Sequence, residues 1–268
     1  MEAILAFVAA MGVTMVLIPP LMRAGDRLGI VDVPGGRKAH AAPIPRVGGI
    51  AMAAGMALGL LLVGQFEHRL LALAVGGLIL VAFGVWDDRV ALGAAAKFLG
   101  QVLAALAVML LGGVKIATLT LWERQMLPDW IAWPLTLLFL IGATNAVNLA
   151  DGLDGLAGGM ILLCLCALTV LSWAVGQGFV IAAALSAAGA VFGFLRYNTH
   201  PARVFMGDAG SQLLGFAVAV LAIVLTQDPQ SPLATALPLL LLGMPIIDTG
   251  AVMVERLLAG RSPFKADR

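Results

Sequence analysis

The sequence predicts an all-α polytopic membrane protein with about nine transmembrane helices. Hydrophobic residues make up 61% of the chain and charged residues 12%, and the mean hydropathy is +1.02. These values lie outside the range of soluble globular domains. The apolar residues also fall into runs long enough to cross a membrane, and the basic residues are unevenly divided among the loops. We therefore expect residues 1–268 to form a single integral membrane domain.

Nine apolar runs are long enough to cross a hydrocarbon core of roughly 30 Å as helices. They lie near residues 3–22, 48–64, 70–86, 97–112, 130–149, 158–175, 178–195, 211–226 and 233–255. Between the fourth and fifth runs, residues 114–122 combine β-branched side chains with a rough polar–apolar alternation. This segment is predicted to be a short extended or hairpin element outside the cytoplasm.

The distribution of Lys and Arg predicts the orientation. If nine spans alternate in direction, thirteen Lys and Arg residues fall on one side and three on the other. Basic loops stay in the cytoplasm, so we expect the N-terminus outside and the C-terminus inside. The richer set is Arg23, Arg27, Arg37, Lys38, Arg46, Arg89, Lys97, Arg196, Arg203, Arg256, Arg261, Lys265 and Arg268, and the poorer set is Arg69, Lys115 and Arg124. With dispersed basic residues and a net charge of +1, nucleic acid is not expected as a partner.

The first cytoplasmic loop contains four actual or potential cations within ten residues. Its prolines and glycines predict a non-helical conformation. The cations are Arg37, Lys38, His40 and Arg46. This composition indicates a phosphate-binding loop at the membrane surface, and the alternative is ordinary basic charge on a cytoplasmic loop.

Two adjacent carboxylates, Asp87 and Asp88, end the third span, and Lys97 and Gln101 follow as the fourth begins. Neighbouring carboxylates repel each other, a cost that a metal ion or a cationic ligand usually offsets. The pair is therefore a candidate catalytic or metal site. The alternative is a polar helix end without function.

The end of the fifth span and the residues directly after it contain Asn145, Asn148, Asp151 and Asp154 at intervals of three residues. Two Asp-Gly steps are expected to end the helix and to bring backbone N–H groups close to a ligand. Oxygen ligands without thiolates favour Mg²⁺ or Mn²⁺ over Zn²⁺. A purely structural loop is the alternative, although polar groups beside hydrocarbon need partners.

Two further acidic residues, Asp208 and Asp248, complete the set of candidates. Asp208 and the nearby Ser211 lie at the beginning of the eighth span, where they could instead serve as helix N-caps. Because the segment with Asp208 lies on the same side of the membrane as the three polar segments described above, we expect all four to form one site that contains metal ligands and cations. Asp248 lies within the ninth span and is expected to face the bundle interior with a partner.

Four segments together resemble one family, the polyprenyl-phosphate N-acetylhexosamine-1-phosphate transferases of glycosyltransferase family 4. They read R-K-A-H-A-A-P-I-P-R-V-G-G, D-D-R-V-A-L-G-A-A-A-K, N-A-V-N-L-A-D-G-L-D-G-L and F-M-G-D-A-G-S, in that order along nearly the whole chain. Each element alone would be weak, but their combination on one side of the membrane is specific.

The resemblance implies transfer of a sugar-1-phosphate from a UDP-N-acetylhexosamine to a polyprenyl phosphate, with release of UMP and a requirement for Mg²⁺, Mn²⁺ being the alternative ion. It implies a multi-pass protein of the bacterial inner membrane with a cytoplasmic active site. The implied roles are catalysis for Asp87 and Asp88, metal binding for Asp208 and Asn148, nucleotide-sugar binding for Asn145, Asp151, Asp154, Lys38, His40 and Arg46, and phosphate binding for Lys97.

Residues 260–268 are similar to the branch that uses UDP-GlcNAc rather than UDP-MurNAc-pentapeptide. Family members usually continue with a histidine motif and one or two further spans, which we expect this chain to lack. A phospho-MurNAc-pentapeptide transferase, an impaired relative and an ion-coupled transporter remain as alternatives. The sequence also leaves open a homodimer and the choice between direct transfer and an aspartyl intermediate.

Overall fold

The protein is a bundle of membrane-length helices with two short β-hairpin pairings. A computed structural model describes residues 2–33, 42–63, 68–120, 123–229 and 231–258. Its helices are α1 (Glu2–Leu28), α2 (Gly48–Val63), α3 (His68–Val90), α4 (Ala94–Gly112), α5 (Asp129–Ala150), α6 (Leu156–Val175), α7 (Gly178–Asn198), α8 (Gly207–Gln227), α9 (Leu237–Leu241) and α10 (Gly243–Leu258). Its strands are β1 (Val31–Asp32), β2 (Ile44–Pro45), β3 (Thr118–Thr120) and β4 (Arg124–Met126).

Within the described ranges, seven helices are long and apolar enough to cross a membrane, namely α1 and α3–α8. The eighth apolar helix, α2, is shorter, at 16 residues. The all-α polytopic fold predicted from the sequence is thereby confirmed. The alternation predicted for residues 114–122 also corresponds to an extended structure, because β3 pairs antiparallel with β4. Residues 121–122 lie outside the described part of the chain.

The ninth predicted span is not one continuous helix. It is divided into α9 and α10 at Leu242, directly before Gly243. A hydropathy run records only apolar character, whereas Gly243 and Pro245 favour interruption of the helix. Asp248 has an exposed side chain on α10, so the prediction that it faces the bundle interior is wrong.

The centre of the bundle is α8. Its apolar side chains surround the whole helix, a pattern that requires burial on every side, and they pack against α2, α3, α5, α6 and α7. Asp208 therefore stands at one end of the innermost helix, where the ends of several neighbouring helices converge. The other end of α8, at Gln227, contacts the β3–β4 hairpin.

Candidate active site

Lys97 joins two of the predicted acidic clusters. Its ammonium group lies 2.5 Å from Asp87 Oδ2 and 2.8 Å from Asp208 Oδ2. The three side chains come from α3, α4 and α8, with 111 residues separating Lys97 from Asp208 along the chain. One cation thus offsets the repulsion between two carboxylates that would otherwise be costly to place together.

Asp88 holds the beginning of α8 in place. Its carboxylate accepts hydrogen bonds from the backbone N–H groups of Asp208, at 3.1 Å, and Ala209, at 3.3 Å. A carboxylate at this position also interacts favourably with the partial positive charge of a helix N-terminus. Asp88 and Asp87 are neighbours in sequence, but Asp88 positions a helix whereas Asp87 contacts the lysine.

The approach of Asp88 to α8 depends on a glycine. Gly207 has φ +66°, and a Cβ atom at this position would collide with the Asp88 carboxylate. The N-cap of α8 is Met206, which makes no side-chain capping bond. Capping is therefore supplied by α3, and the N-cap alternative considered for Asp208 and Ser211 is not what the structure contains.

Asn148 extends the cluster to α5. Its side-chain nitrogen donates to Asp208 Oδ1 at 3.2 Å and to Ser211 Oγ at 2.7 Å. Asn145, one turn earlier, points to a different set of partners: its amide pairs reciprocally with the buried amide of Gln101, at 2.7 and 3.2 Å. Gln101 also donates to Gln212 Oε1 at 3.3 Å. Asn145 therefore belongs to an amide network beneath the carboxylates.

The loop before α2 brings a guanidinium to the site. β1 pairs antiparallel with β2, Asp32 lying opposite Ile44, and this pairing places Arg46 in an ion pair with Asp32. The other guanidinium nitrogen of Arg46 is 3.8 Å from Asp88 Oδ1. Lys38 and His40, which the sequence also assigned to nucleotide-sugar binding, lie outside the described residues.

A cavity of about 1070 Å³ opens beside these groups. Its lining includes Asp88, Asn148 and Asp208 together with Asp151 and Asp154. The repeated Asp-Gly sequence ends α5 at Ala150 as predicted, and the turns that follow present both aspartates to the cavity. Burial, together with the charges of Asp208 and Asp88, raises the pKa of the Asp151 carboxyl from its ordinary value to about 7.

The polar and aromatic residues of the cavity lining that were not selected from the sequence are Asp32, Asn198, His200 and Phe205. His200 Nδ1 lies 2.9 Å from Asp154 Oδ2, and Asn198 Oδ1 accepts from Gly155 N–H at 3.0 Å. These contacts fasten the turn after α5 to the segment after α7. The sequence signal of Asn198 and His200 was weak, because each is an isolated polar residue ahead of the more obvious segment that contains Asp208.

The donor set has the chemistry that Mg²⁺ prefers. Carboxylate and amide oxygens of Asp87, Asp208 and Asn148 are hard ligands, and proteins commonly hold Mg²⁺ through one or two carboxylates together with substrate phosphates. The described residues contain no group of three or more His, Cys, Asp or Glu side chains arranged to hold a metal by themselves. These oxygens would supply part of the coordination of such an ion.

Comparison with known proteins identifies relatives over almost the whole chain. A probable undecaprenyl-phosphate N-acetylglucosaminyl 1-phosphate transferase from Bacillus subtilis (strain 168) is 35% identical over 98% of this chain and 74% of its own length. The undecaprenyl-phosphate alpha-N-acetylglucosaminyl 1-phosphate transferase of Escherichia coli (strain K12) is 32% identical over 92% of this chain and 69% of its own. A decaprenyl-phosphate N-acetylglucosaminephosphotransferase from Mycolicibacterium smegmatis is 33% identical, with coverages of 90% and 67%.

The names of these relatives agree with the family and the branch predicted from the sequence. The family model described as glycosyl transferase family 4 matches residues 70–226, which run from the first turn of α3 to the end of α8. This range contains Asp87, Lys97, Asn148 and Asp208. The chain belongs to glycosyl transferase family 4.

Proposed function

We propose that this protein transfers N-acetylglucosamine-1-phosphate from UDP-N-acetylglucosamine to a membrane polyprenyl phosphate and releases UMP. The observation that carries the proposal is the contact of Lys97 with both Asp87 and Asp208 at the edge of a 1070 Å³ cavity. The printed names of the relatives, which specify N-acetylglucosamine and a polyprenyl phosphate, support this choice of donor and acceptor.

The proposed reaction joins two anions, so charge is its main obstacle. An oxygen of the lipid phosphate attacks the β-phosphorus of the UDP-sugar, and the bond from that phosphorus to the bridging oxygen breaks. UMP leaves with the bonding electron pair. A phosphate monoester has a second pKa near 6, so the acceptor is mostly dianionic at pH 7 and needs positioning more than proton removal.

We assign the cations of the site to the phosphates. Lys97 and Arg46 each lie against carboxylates, and incoming phosphate oxygens compete for the same N–H donors. Asp87 keeps Lys97 in place, because one of its oxygens accepts from Leu92 N–H at 2.6 Å while the other contacts the ammonium. Lys38 and His40 are assigned to the donor phosphates from the sequence alone.

Asp208, with the side-chain oxygen of Asn148 as a second ligand, would hold Mg²⁺. The ion would supply positive charge to the phosphates of donor and acceptor when bound. Asp88 contributes by fixing the backbone of Asp208 rather than by meeting substrate. In this arrangement direct transfer requires no covalent bond to an aspartate.

We assign the nucleoside end of the donor to the part of the cavity lined by Asp151, Asp154 and Phe205. Asp151 and Asp154 supply acceptors there, and the ring of Phe205 offers a flat apolar surface on which a base can stack. Asn145 contacts Gln101 instead, so we assign it to the amide network around Gln101 rather than to the substrate. This changes the role that the sequence suggested for Asn145.

We place the active site on the cytoplasmic side of the bacterial inner membrane. The support is the division of basic residues, thirteen to three, which puts the segments containing Asp87, Asp151 and Asp208 in the cytoplasm. A soluble UDP-sugar and a lipid phosphate can meet at that boundary. Labelling of single cysteines near Lys115 and near Arg203 with an impermeant reagent in intact cells tests this topology, since only the first should react.

The donor is tested by supplying the purified protein with undecaprenyl phosphate, Mg²⁺ and either UDP-N-acetylglucosamine or UDP-MurNAc-pentapeptide. We expect a lipid-linked sugar from the first donor and none from the second. Product from the second donor alone would contradict the proposed branch. Absence of product from both, with protein that is folded by size-exclusion chromatography, would contradict the proposed reaction.

A further inference from the structure

A second concave site lies on the outside of the bundle, between the ends of α1 and α3. It is a groove of about 690 Å³, separate from the cavity that contains Asp208. Arg27 and Leu28 line it from α1, and Val85, Trp86 and Arg89 line it from α3. Nothing proposed above for the transfer reaction uses this groove.

The end of α3 presents different residues on two faces. Val85, Trp86 and Arg89 follow the spacing of one helix face and border the groove. Asp87 and Asp88 are buried, with relative exposures of 8% and 7%, and contact α4 and α8 instead. A phosphate bound in the groove would therefore lie behind the reacting groups, so the groove is not a position for the reacting acceptor.

Among the residues that the structure describes, the charges in the groove have no protein partner. Across the described ranges neither Arg27 nor Arg89 makes an ion pair or a side-chain hydrogen bond, whereas Lys97 and Lys115 are each paired with a carboxylate. Both guanidinium groups are exposed beside apolar surface. Two guanidinium groups that line one groove without a described partner favour an anion, and the planar N–H fork matches phosphate oxygens.

The apolar part of the groove indicates what carries that phosphate. Trp86 is 52% exposed, although it stands near the end of a membrane-length helix. Tryptophan is enriched at the level of lipid headgroups, where its ring contacts both the polar and the apolar layer. Leu28 and Val85 add apolar surface on either side. A free phosphate ion would leave this surface exposed, whereas an acyl chain would cover it.

We propose that this groove binds an anionic phospholipid. The guanidinium groups of Arg27 and Arg89 contact the lipid phosphate, and one acyl chain lies along Leu28, Val85 and Trp86. Both arginines belong to the basic set of loops, and the cytoplasmic leaflet to which that set is assigned carries the anionic lipids. The bound lipid lies against the outer face of the helix that positions Asp87.

The test is a titration of the solubilised protein with phosphatidylglycerol or phosphatidylcholine, read by native mass spectrometry without UDP-sugar. We expect tighter binding of phosphatidylglycerol. Arg27→Gln with Arg89→Gln should weaken it roughly 30-fold, about fivefold for each basic residue removed, and leave phosphatidylcholine binding unchanged. The matched control is Arg23→Gln with Arg196→Gln, which removes the same charge from two exposed arginines outside the groove.

Equal weakening in the groove variant and in the control variant would overturn the proposal, because the effect would then be general electrostatic attraction. A photoactivatable phosphatidylglycerol provides a second test on the unaltered protein, independent of the folding of any variant. Crosslinks should concentrate in peptides that contain residues 27–29 and 82–90. Crosslinks distributed evenly around the other helices would contradict the proposal. Neither readout depends on the transferase reaction.

Discussion

The two ends of α8 both carry polar clusters, but the clusters use their polar atoms differently. At the cavity end, Asp208 contacts the side chains of Lys97 and Asn148 next to open space. At the hairpin end, Gln227 Oε1 accepts from the backbone N–H groups of Ala117 and Thr118, both at 2.9 Å, and its nitrogen donates back to Thr118 O. The groups around Asp208 can exchange their present partners for a ligand, whereas the hydrogen bonds of Gln227 attach the β3–β4 hairpin to α8.

The cations at the two ends of α8, Arg124 and Lys97, also differ in their partners. Its guanidinium group donates to Thr226 O at 2.9 Å, Ser231 O at 3.2 Å and Thr118 Oγ1 at 3.1 Å. These acceptors are neutral and mostly backbone. Lys97 instead contacts two carboxylates. Polar residues near a membrane surface are thus informative about function mainly when charged groups meet beside a cavity.

The largest effect is expected for Asp208→Asn. Because this carboxylate contacts Lys97 and is the assigned metal ligand, its neutralisation should lower the rate of lipid product formation by roughly 10³-fold. The rate is measured at saturating substrates and corrected for the folded fraction. A loss smaller than tenfold would show that Asp208 is not central to the reaction.

A pair of lysine variants compares the two ends directly. Lys97→Met should lower the maximal rate by roughly 10²-fold, because no cation then balances Asp87 and Asp208 or the incoming phosphates. Lys115 forms a similar ion pair with Asp129, 2.6 Å long, at the hairpin end. Lys115→Met should therefore leave the rate within about twofold, since exposed pairs contribute little. Similar rates for the two variants would contradict the view that the cavity end of α8 serves the reaction and the hairpin end serves the structure.

Arg124→Gln should affect stability rather than the reaction. Loss of its three hydrogen bonds is expected to lower the free energy of unfolding by about 2 kcal/mol. This corresponds to a melting temperature about 6 °C lower in detergent. The rate per folded molecule should match that of the unaltered protein, and a specific loss of rate would indicate coupling between the two ends.

The smallest effect concerns pH. With a pKa of about 7, Asp151 is mostly protonated at pH 6 and ionised at pH 8, so the cavity assigned to the anionic donor gains a negative charge as the pH rises. The KM for the UDP-sugar should then rise roughly fivefold over this interval. Asp151→Asn is neutral throughout and should show a flat profile. An unchanged pH dependence in this variant would assign the titration to another group.

The sequence was sufficient for most of the fold because long apolar runs translate directly into membrane helices. The run at 130–149 corresponds to Asp129–Ala150, and the run at 97–112 corresponds to Ala94–Gly112. It was insufficient at 233–255, where Gly243 and Pro245 divide an apolar run that hydropathy alone joins.

For the site, the sequence identified residue types but not their partners. Asn145 and Asn148 occur in the same segment one helical turn apart, yet one pairs with Gln101 and the other with Asp208. Likewise Asp87 and Asp88 are adjacent, but a step of one residue turns a helical side chain by about 100°. The packing of α3 against α4 and α8 determines that Asp87 contacts Lys97 whereas Asp88 caps the beginning of α8.

The central claim is transfer of a sugar together with its phosphate, and the nucleotide product tests it most directly. The purified protein is incubated with UDP-N-acetylglucosamine labelled with ³²P at the β-phosphate, undecaprenyl phosphate and Mg²⁺. We predict that the label enters the lipid fraction while unlabelled UMP is released in equal amount, and that Lys97→Met strongly reduces both. Release of labelled UDP, with the sugar but no label in the lipid, would contradict the account.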